Sequence, residues 1–534
     1  MKKQTTWKRT LVAGAMLFIA ACALRSAEPP MQYRTVSSTP VLSPEETSLE
    51  PTPTTTTRVP AMVLKDYGVN PTIETNAEPI STFAADVDTG SYSLARSYLE
   101  RGVLPDEAAV RVEEFVNAFD YGYQAPKEQA FAVQVEAFPS PTRKGYHVLH
   151  VGVKAREVSK TDRKPSHLIF TIDVSGSMAT ENRLGLVKQA LTLLVNELDG
   201  RDKVSLVVYG TEAHVVLPPT PATQKESILA GIDALKPEGS TNVQAGLSLA
   251  YDLAMKGFVP GGINRVILCS DGVANNGVTN AGDIWQTVKG RASEGVTLSA
   301  IGFGLGNYND VLMERLADMG DGHYAYVDKL DEAKRVFVEN LTGTLQVVAK
   351  DVKLQLEFNP SVVERYRLLG FENRLLDKRD FANDKVDAGE LGAGHAVTAI
   401  YEVKLKAQSD AQSFAIFRAR YKQPVGGASQ LVERALPTSV IRNDRKSATP
   451  PARLSLVVSG FAEKLRGSYW ARTLTWDALL AQVAELPPSL AQRPDVVELT
   501  RLIHTAQTLD RRPDRFEAKA PVATMDFDRL PVIE

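Results

Sequence analysis

Two periods of hydrophobicity divide the chain. Phe131-Ala-Val133-Gln-Val135-Glu and Val148-Leu149-His-Val151-Gly-Val153-Lys alternate apolar with polar residues, and similar alternation returns at Val352–Phe358, Val397–Leu405 and Ser413–Tyr421. Period two with one polar face predicts antiparallel strands, half exposed. Between these flanks, apolar runs at 167–173, 203–209, 213–217, 264–270, 296–302 and 322–327 interleave with helical patterns at about 184–198, 223–234, 243–256, 281–292, 309–318 and 331–345. That order predicts a mainly parallel sheet with helices on both faces, a doubly wound α/β unit. The 213–217 run follows its predecessor too closely for a parallel crossover and must pair antiparallel.

The expected organisation is therefore an α/β unit at 166–345 inserted into a flanking antiparallel β-domain, whose parts are 126–165 and 346–444. The alternation is also compatible with two separate β-pieces. Small helical regions are expected at both ends. In 61–125, Ser93–Arg101 and Asp106–Phe119 have helical character; in 453–534, Leu454–Arg466, Tyr469–Leu486 and Asp495–Leu509 do. Ser447–Arg453, with Pro450 and Pro451, reads as the linker before the last region, and Trp470 and Trp476 as part of its core. Asp86 and Asp88 invite a calcium reading. Ser91 and Ser97 stand where an EF-hand needs Gly and Glu, so turn and helix-capping chemistry is preferred.

Length and composition narrow the class. The chain has 534 residues, enough for about three domains. A net charge of −3 gives no footing for nucleic-acid binding. Its two cysteines, Cys22 and Cys269, exclude a disulfide framework. Cys269 lies in an apolar run and reads as a buried small hydrophobe. Residues 1–21 have the layout of a secretory signal: Lys2, Lys3, Lys8 and Arg9, then an apolar stretch from Leu11 to Ala21. Ile19-Ala20-Ala21-Cys22 resembles a bacterial lipobox, which makes Cys22 the lipidation site, against an ordinary signal peptide with an incidental Cys. Acyl chains would anchor the protein without spanning the membrane. Ala23 in place of Asp favours the outer membrane, on its periplasmic or surface face. Residues 22–60, rich in Pro and Thr, should form a tether.

The candidate chemistry lies at strand ends. Asp173-Val-Ser175-Gly-Ser177 follows the buried run 167–172 and sets three oxygens where the strand stops. Ligands of open α/β sheets bind at the carboxyl ends of strands, and hard divalent cations take oxygen ligands. Gly239-Ser240-Thr241-Asn242 brings another hydroxyl to that edge, and Ser270-Asp271-Gly272 brings another carboxylate. Asp173, Ser175, Ser177, Thr241 and Asp271 thus form a candidate metal cradle. Capping and turn chemistry is the plainer alternative.

With these loops in order, the central region resembles a von Willebrand factor A domain, and the five residues match its metal-ion-dependent adhesion site. The resemblance implies Ser175, Ser177 and Thr241 as ligands, and Asp173 and Asp271 acting directly or through water. It further implies Mg²⁺ (or Mn²⁺ or Ca²⁺) and a free position for a partner's Asp or Glu. Hydroxyl ligands leave a cation under-neutralised, which strengthens its pull on an incoming carboxylate. Ser81–Tyr92, Arg111-Val-Glu-Glu-Phe115 and the segment Gly370–His395 are similar to a family of bacterial lipoproteins called YfbK-type. That resemblance implies a periplasmic or surface lipoprotein with no established enzymatic activity.

Catalytic readings are weaker. Gly176-Ser177-Met178-Ala179 echoes a subtilisin-like nucleophile segment, but the Thr before it and the Pro after it are missing. No phosphate-binding G-x-x-x-x-G-K-[ST] loop occurs, and the seven His residues form no ligand cluster with Cys or carboxylates. Gly302-Phe-Gly304-Leu-Gly306 reads as a loop allowing close approach to the metal rim. The expectation is a non-enzymatic, metal-dependent adhesion or assembly lipoprotein of the cell envelope, touching the membrane through its lipid anchor only. A structural envelope scaffold with a dispensable metal site is the alternative.

Overall fold

The computed structural model describes residues 34–35, 62–272, 279–292, 294–304, 308–407, 409–424, 426–511, 516 and 520–521. The signal segment and Cys22 lie outside the described residues. Of the tether, Arg34–Thr35 pairs antiparallel with Val63–Leu64.

The six-stranded central sheet runs Tyr324–Val327, Val296–Phe303, Ile263–Ser270, Ser166–Asp173, Lys203–Tyr209, Ala213–Pro221. All neighbours are parallel except the last pair, whose short connection forbids anything else. Every residue of Ser166–Asp173 is buried, as the near-continuous apolar run requires. Leu247, Ile284 and Leu316 pack on one face of the sheet, and Leu191, Ile228 and Phe337 on the other. The helical stretch expected at 331–345 is broken into Leu330–Lys334, a π-helical turn at Arg335–Glu339, and Leu341–Leu345.

The flanks form one β-domain of two antiparallel sheets. One is ordered Ile73–Glu74, Val363–Leu369, Ala396–Leu405, Tyr146–Ala155, Phe131–Pro139. Ala396–Leu405 pairs with Tyr146–Ala155 from Ala396 opposite Lys154 to Lys404 opposite Tyr146. Strands from before and after the α/β unit are therefore direct neighbours, and that unit is an insertion. In the second sheet Val347–Phe358 is the hub, with Ser413–Lys422 and then Gln430–Pro437 on one side. Ile80–Ala84 and Gly389–Gly392 share its other edge. Phe83, Val151, Leu354, Tyr366 and Phe417 fill the space between the sheets.

The helices at the two chain ends share a single core. Tyr92, Phe115 and Phe119 pack with Phe461, Leu465 and Leu499, and the Phe115 and Phe461 rings meet edge to face at 6.0 Å. Pro450 and Pro451 are not linker but the first turn of the helix Pro450–Leu465, where proline's missing N–H has no partner to lose. Trp476 joins this core, whereas Trp470 does not. The Trp470 indole N–H donates to the Asn70 carbonyl at 3.2 Å, and the Arg143 and Arg367 guanidinium groups lie against its ring. The 106–119 stretch splits into a 3₁₀ turn, Glu107–Ala109, and a helix, Val112–Asn117. Extended Arg111 separates them and pairs with Glu114 and Asp310. Asp86 makes the expected turn, accepting from the Asp88 N–H at 2.8 Å, but neither Asp caps the helix Gly90–Glu100. Asp88 accepts instead from the Tyr324 N–H, and both carboxylates face Arg374.

Candidate functional site

The carboxyl ends of Ser166–Asp173 and Ile263–Ser270, adjacent in the sheet, bring Asp173 and Asp271 together. Both are fully buried. The Asp173 carboxylate is held from two sides, accepting from the Ser175 N–H at 2.8 Å and from the Ser270 hydroxyl at 2.8 Å. Ser270 Oγ in turn accepts from the Gly272 N–H. Gly272 has φ +78°, and a Cβ there would come within 2.7 Å of the Asn309 nitrogen, so this turn takes only glycine.

The first loop continues to Ser175 and Ser177, whose hydroxyls lie 3.0 Å apart. Ser175 is buried, while Ser177 is half-buried at the rim. The Thr241 loop is joined to it through the backbone. The Gly176 N–H donates to the Gly239 carbonyl at 3.1 Å, and the Glu238 N–H to the Val174 carbonyl. Thr241 itself is buried, and Asn242 caps the helix Val243–Lys256 by accepting from the Ala245 N–H. All three loops named by the sequence thus converge on one edge of the sheet.

Three further residues shape the site. Arg183, the first residue of the helix Arg183–Glu197, donates from Nη1 to Asp271 Oδ2 at 2.8 Å and is itself 6% exposed. Its side chain runs under Gly304, where a Cβ would come within 2.3 Å of the guanidinium. The Gly302–Gly304 stretch admits Arg183, which reaches Asp271, and at Gly302 the Tyr308 ring; Gly306 lies outside the described residues. Ser270 was visible only as the neighbour of Asp271, and Arg183 only as the start of a helix. Tyr209, buried at the end of Lys203–Tyr209, keeps its phenol neutral because burial and then the Asp173 charge push its pKa up.

Electrostatics favours a cation here. Burial, followed by the charge of Asp271, pushes the Asp173 carboxyl up to about 7. Two acidic groups forced together in a dry pocket, with hydroxyls around them, form the donor set of a hard divalent ion. A metal would offset both the burial and the Asp271 charge that raise Asp173. The residues fit.

A mostly parallel sheet with helices on both faces and three converging Asp, Ser and Thr loops defines a von Willebrand factor type A domain. The family model "von Willebrand factor type A domain" matches residues 167–339, "von Willebrand factor" matches 61–150, and "Uncharacterized protein YfbK, C-terminal" matches 343–509. The chain belongs to the YfbK family: it is 38% identical over 466 residues to "Uncharacterized protein YfbK" of Escherichia coli (strain K12), spanning 82% of this chain and 80% of that one. It is also 30% identical over 164 residues to human "Inter-alpha-trypsin inhibitor heavy chain H4", covering 29% of this chain and 17% of that protein. Among solved structures, a von Willebrand factor type A protein from Catenulispora acidiphila covers 72% of this chain and 91% of its own, with 16% identity and a TM-score of 0.42. No helix among the described residues is long and apolar enough to cross a membrane.

Proposed function

We propose that this protein is a non-enzymatic, metal-dependent binding protein of the bacterial cell envelope, anchored by lipid on Cys22. Its site captures an Asp or Glu of a protein partner through a divalent cation, Mg²⁺ or a similar ion. Ser175, Ser177 and Thr241 would hold the ion, with Asp173 and Asp271 supplying charge directly or through water. The carrying observation is Asp173, fully buried beside the equally buried Asp271, its carboxyl raised first by burial and then by the Asp271 charge. Domains of this type commonly mediate protein–protein interaction or adhesion. The anchor suits this role. The Val63 N–H donates to the Tyr308 carbonyl, and Tyr308 borders Gly272, so the chain just past the proposed tether lies beside the site.

One observation favours a second reading, an envelope scaffold with a dispensable metal. Arg183 already places a positive charge on Asp271. The two readings separate in a pull-down of envelope proteins with the intact chain. Metal-dependent capture requires that binding weaken in EDTA and with Asp173→Ala, and calorimetry should register heat on adding Mg²⁺ or Mn²⁺. Binding unchanged by both treatments would sink the capture mechanism and leave the scaffold.

A further inference from the structure

A cavity that shares no residue with the Asp173 site lies where the helices of the two chain ends meet the β-domain. Its walls come from residues 65–69, residues 107–113, the turn at Glu372 and Asn373, and Arg466 at the end of the helix Pro450–Leu465. It encloses about 50 Å³, room for roughly four waters or a group with that many heavy atoms. Asp66 and Gly68 are exposed, so the cavity opens to solvent on their side.

Two acceptors in this wall have nothing to accept from. Glu113 is 1% exposed, and its Oε2 takes the Phe371 N–H at 2.9 Å. Its Oε1 is buried with no hydrogen-bond partner, and the carboxylate has no ion pair among the described residues. The Asn373 amide is oriented by Glu314, which accepts from its Nδ2 at 2.7 Å, and its Oδ1 is left buried and unpartnered too. Holding such groups out of water without a partner is costly.

The cations of the wall do not answer them. Arg111 is held by Glu114 and Asp310, and Arg466 by Glu372 and Glu463. The Lys65 ammonium lies over the Tyr67 ring, 4.7 Å from its centre. The charges that act most on Glu113 are those of Glu372, Asp86 and Glu114, all acidic. An anion is therefore repelled, and an apolar group leaves both acceptors unmet. A metal ion needs a shell of oxygens, yet Glu372 is already taken by Arg466 and by the Asn70 N–H at 3.2 Å. What fits is a positive group with several N–H donors, and a guanidinium serves two separate acceptors from one plane.

We propose that this cavity binds a small organic cation, a guanidinium or primary ammonium head, with Glu113 and Asn373 as its acceptors. The head belongs either to a free small molecule or to a side chain of a partner protein. The site is independent of any metal at Asp173.

The test is calorimetry on the full chain in EDTA, so that metal takes no part. Methylguanidinium and methylammonium are the probes, and tetramethylammonium, which has the charge but no N–H, is the comparison. The two probes should release heat and bind about tenfold or more tighter than tetramethylammonium. Glu113→Gln keeps the shape of the side chain and should weaken both probes by about tenfold or more, its unfolding midpoint showing that the fold is intact. Free arginine and an arginine tripeptide with blocked ends separate the two sources: a small-molecule site admits only the first, a side-chain site both. No heat from either probe at tens of millimolar, the result for a cavity that holds water only, would overturn the site. So would equal binding of tetramethylammonium, or full-strength binding by the Glu113→Gln chain.

Discussion

Arg183 and Asp271 form a buried ion pair at 2.8 Å between the start of one helix and the end of a central strand. The pair sets the metal-free state of the candidate site. Removing the guanidinium leaves Asp271 buried beside Asp173, an arrangement that typically costs about 3–5 kcal/mol. Arg183→Gln should therefore lower the unfolding midpoint in EDTA. It should also raise Mg²⁺ affinity, because the Arg183 guanidinium then no longer competes for Asp271. Unfolding with and without Mg²⁺ measures both effects, and a variant that Mg²⁺ fails to rescue would show that the loops do not hold the ion.

His150 supplies an acid-sensitive element away from the site. Its Nε2 lies 2.8 Å from the Tyr123 hydroxyl and its Nδ1 2.8 Å from the Ser455 hydroxyl, and burial pushes its pKa down to about 3. The unfolded chain takes up this proton near pH 6.5. The contribution to stability is therefore complete above about pH 6.5 and is lost as pH falls toward 3. Urea unfolding at several pH values should show His150→Gln with a flatter acid limb, by as much as one proton.

Glu113 has the opposite sign. Burial, then the charge of Glu372, pushes its carboxyl up to about 8, while its Oε2 accepts from the Phe371 N–H at 2.9 Å. The folded state prefers the protonated form, so a penalty grows as pH rises from about 4.5 to 8 and stays above that. Glu113→Gln should gain on the wild type across this window. Equal pH profiles for the two proteins would contradict the assignment.

The shared helical core makes a prediction about cooperativity. Phe461→Ala empties a site fully buried against Phe115, at an expected cost of about 3–5 kcal/mol. Hydrogen exchange should show Val112–Asn117 and Pro494–Leu509 losing protection together. Loss confined to the C-terminal helices would mean two separate cores.

The proposed lipid anchor is tested by fractionation. Cys22→Ser should move the protein from the membrane fraction to the soluble one, and retention in the membrane would rule out lipidation as the anchor.

Periodicity made the α/β unit legible because each of its strands is short, apolar and followed by an amphipathic helix. The antiparallel placement of Ala213–Pro221 came from connection length alone. The strand Val363–Leu369 was hidden because its polar residues do not all face water. Arg367 is 1% exposed, paired with Glu402 and Glu463. Ile80–Ala84 is too short to display a period, and its membership in the second sheet depends on partners 269 to 277 residues away, from Lys353 opposite Ala84 to Glu357 opposite Ile80. At the site, Asp173, Ser175, Ser177, Thr241 and Asp271 announced themselves by their order after strands. Arg183 did not, since a cation at the start of a helix has no local reason to be buried, and only the fold brings Asp271 over it.

The strand pairing between Ala396–Leu405 and Tyr146–Ala155 also constrains when the chain can fold. On a ribosome releasing the N-terminus first, the hairpin of Phe131–Pro139 and Tyr146–Ala155 cannot meet Ala396–Leu405 until the 242 residues from Lys154 to Ala396 have emerged. Contacts of such long sequence separation form slowly. The β-domain therefore cannot close until most of the chain has been made, and its first strands wait unpacked in the meantime, as a polypeptide threaded through a narrow channel must be.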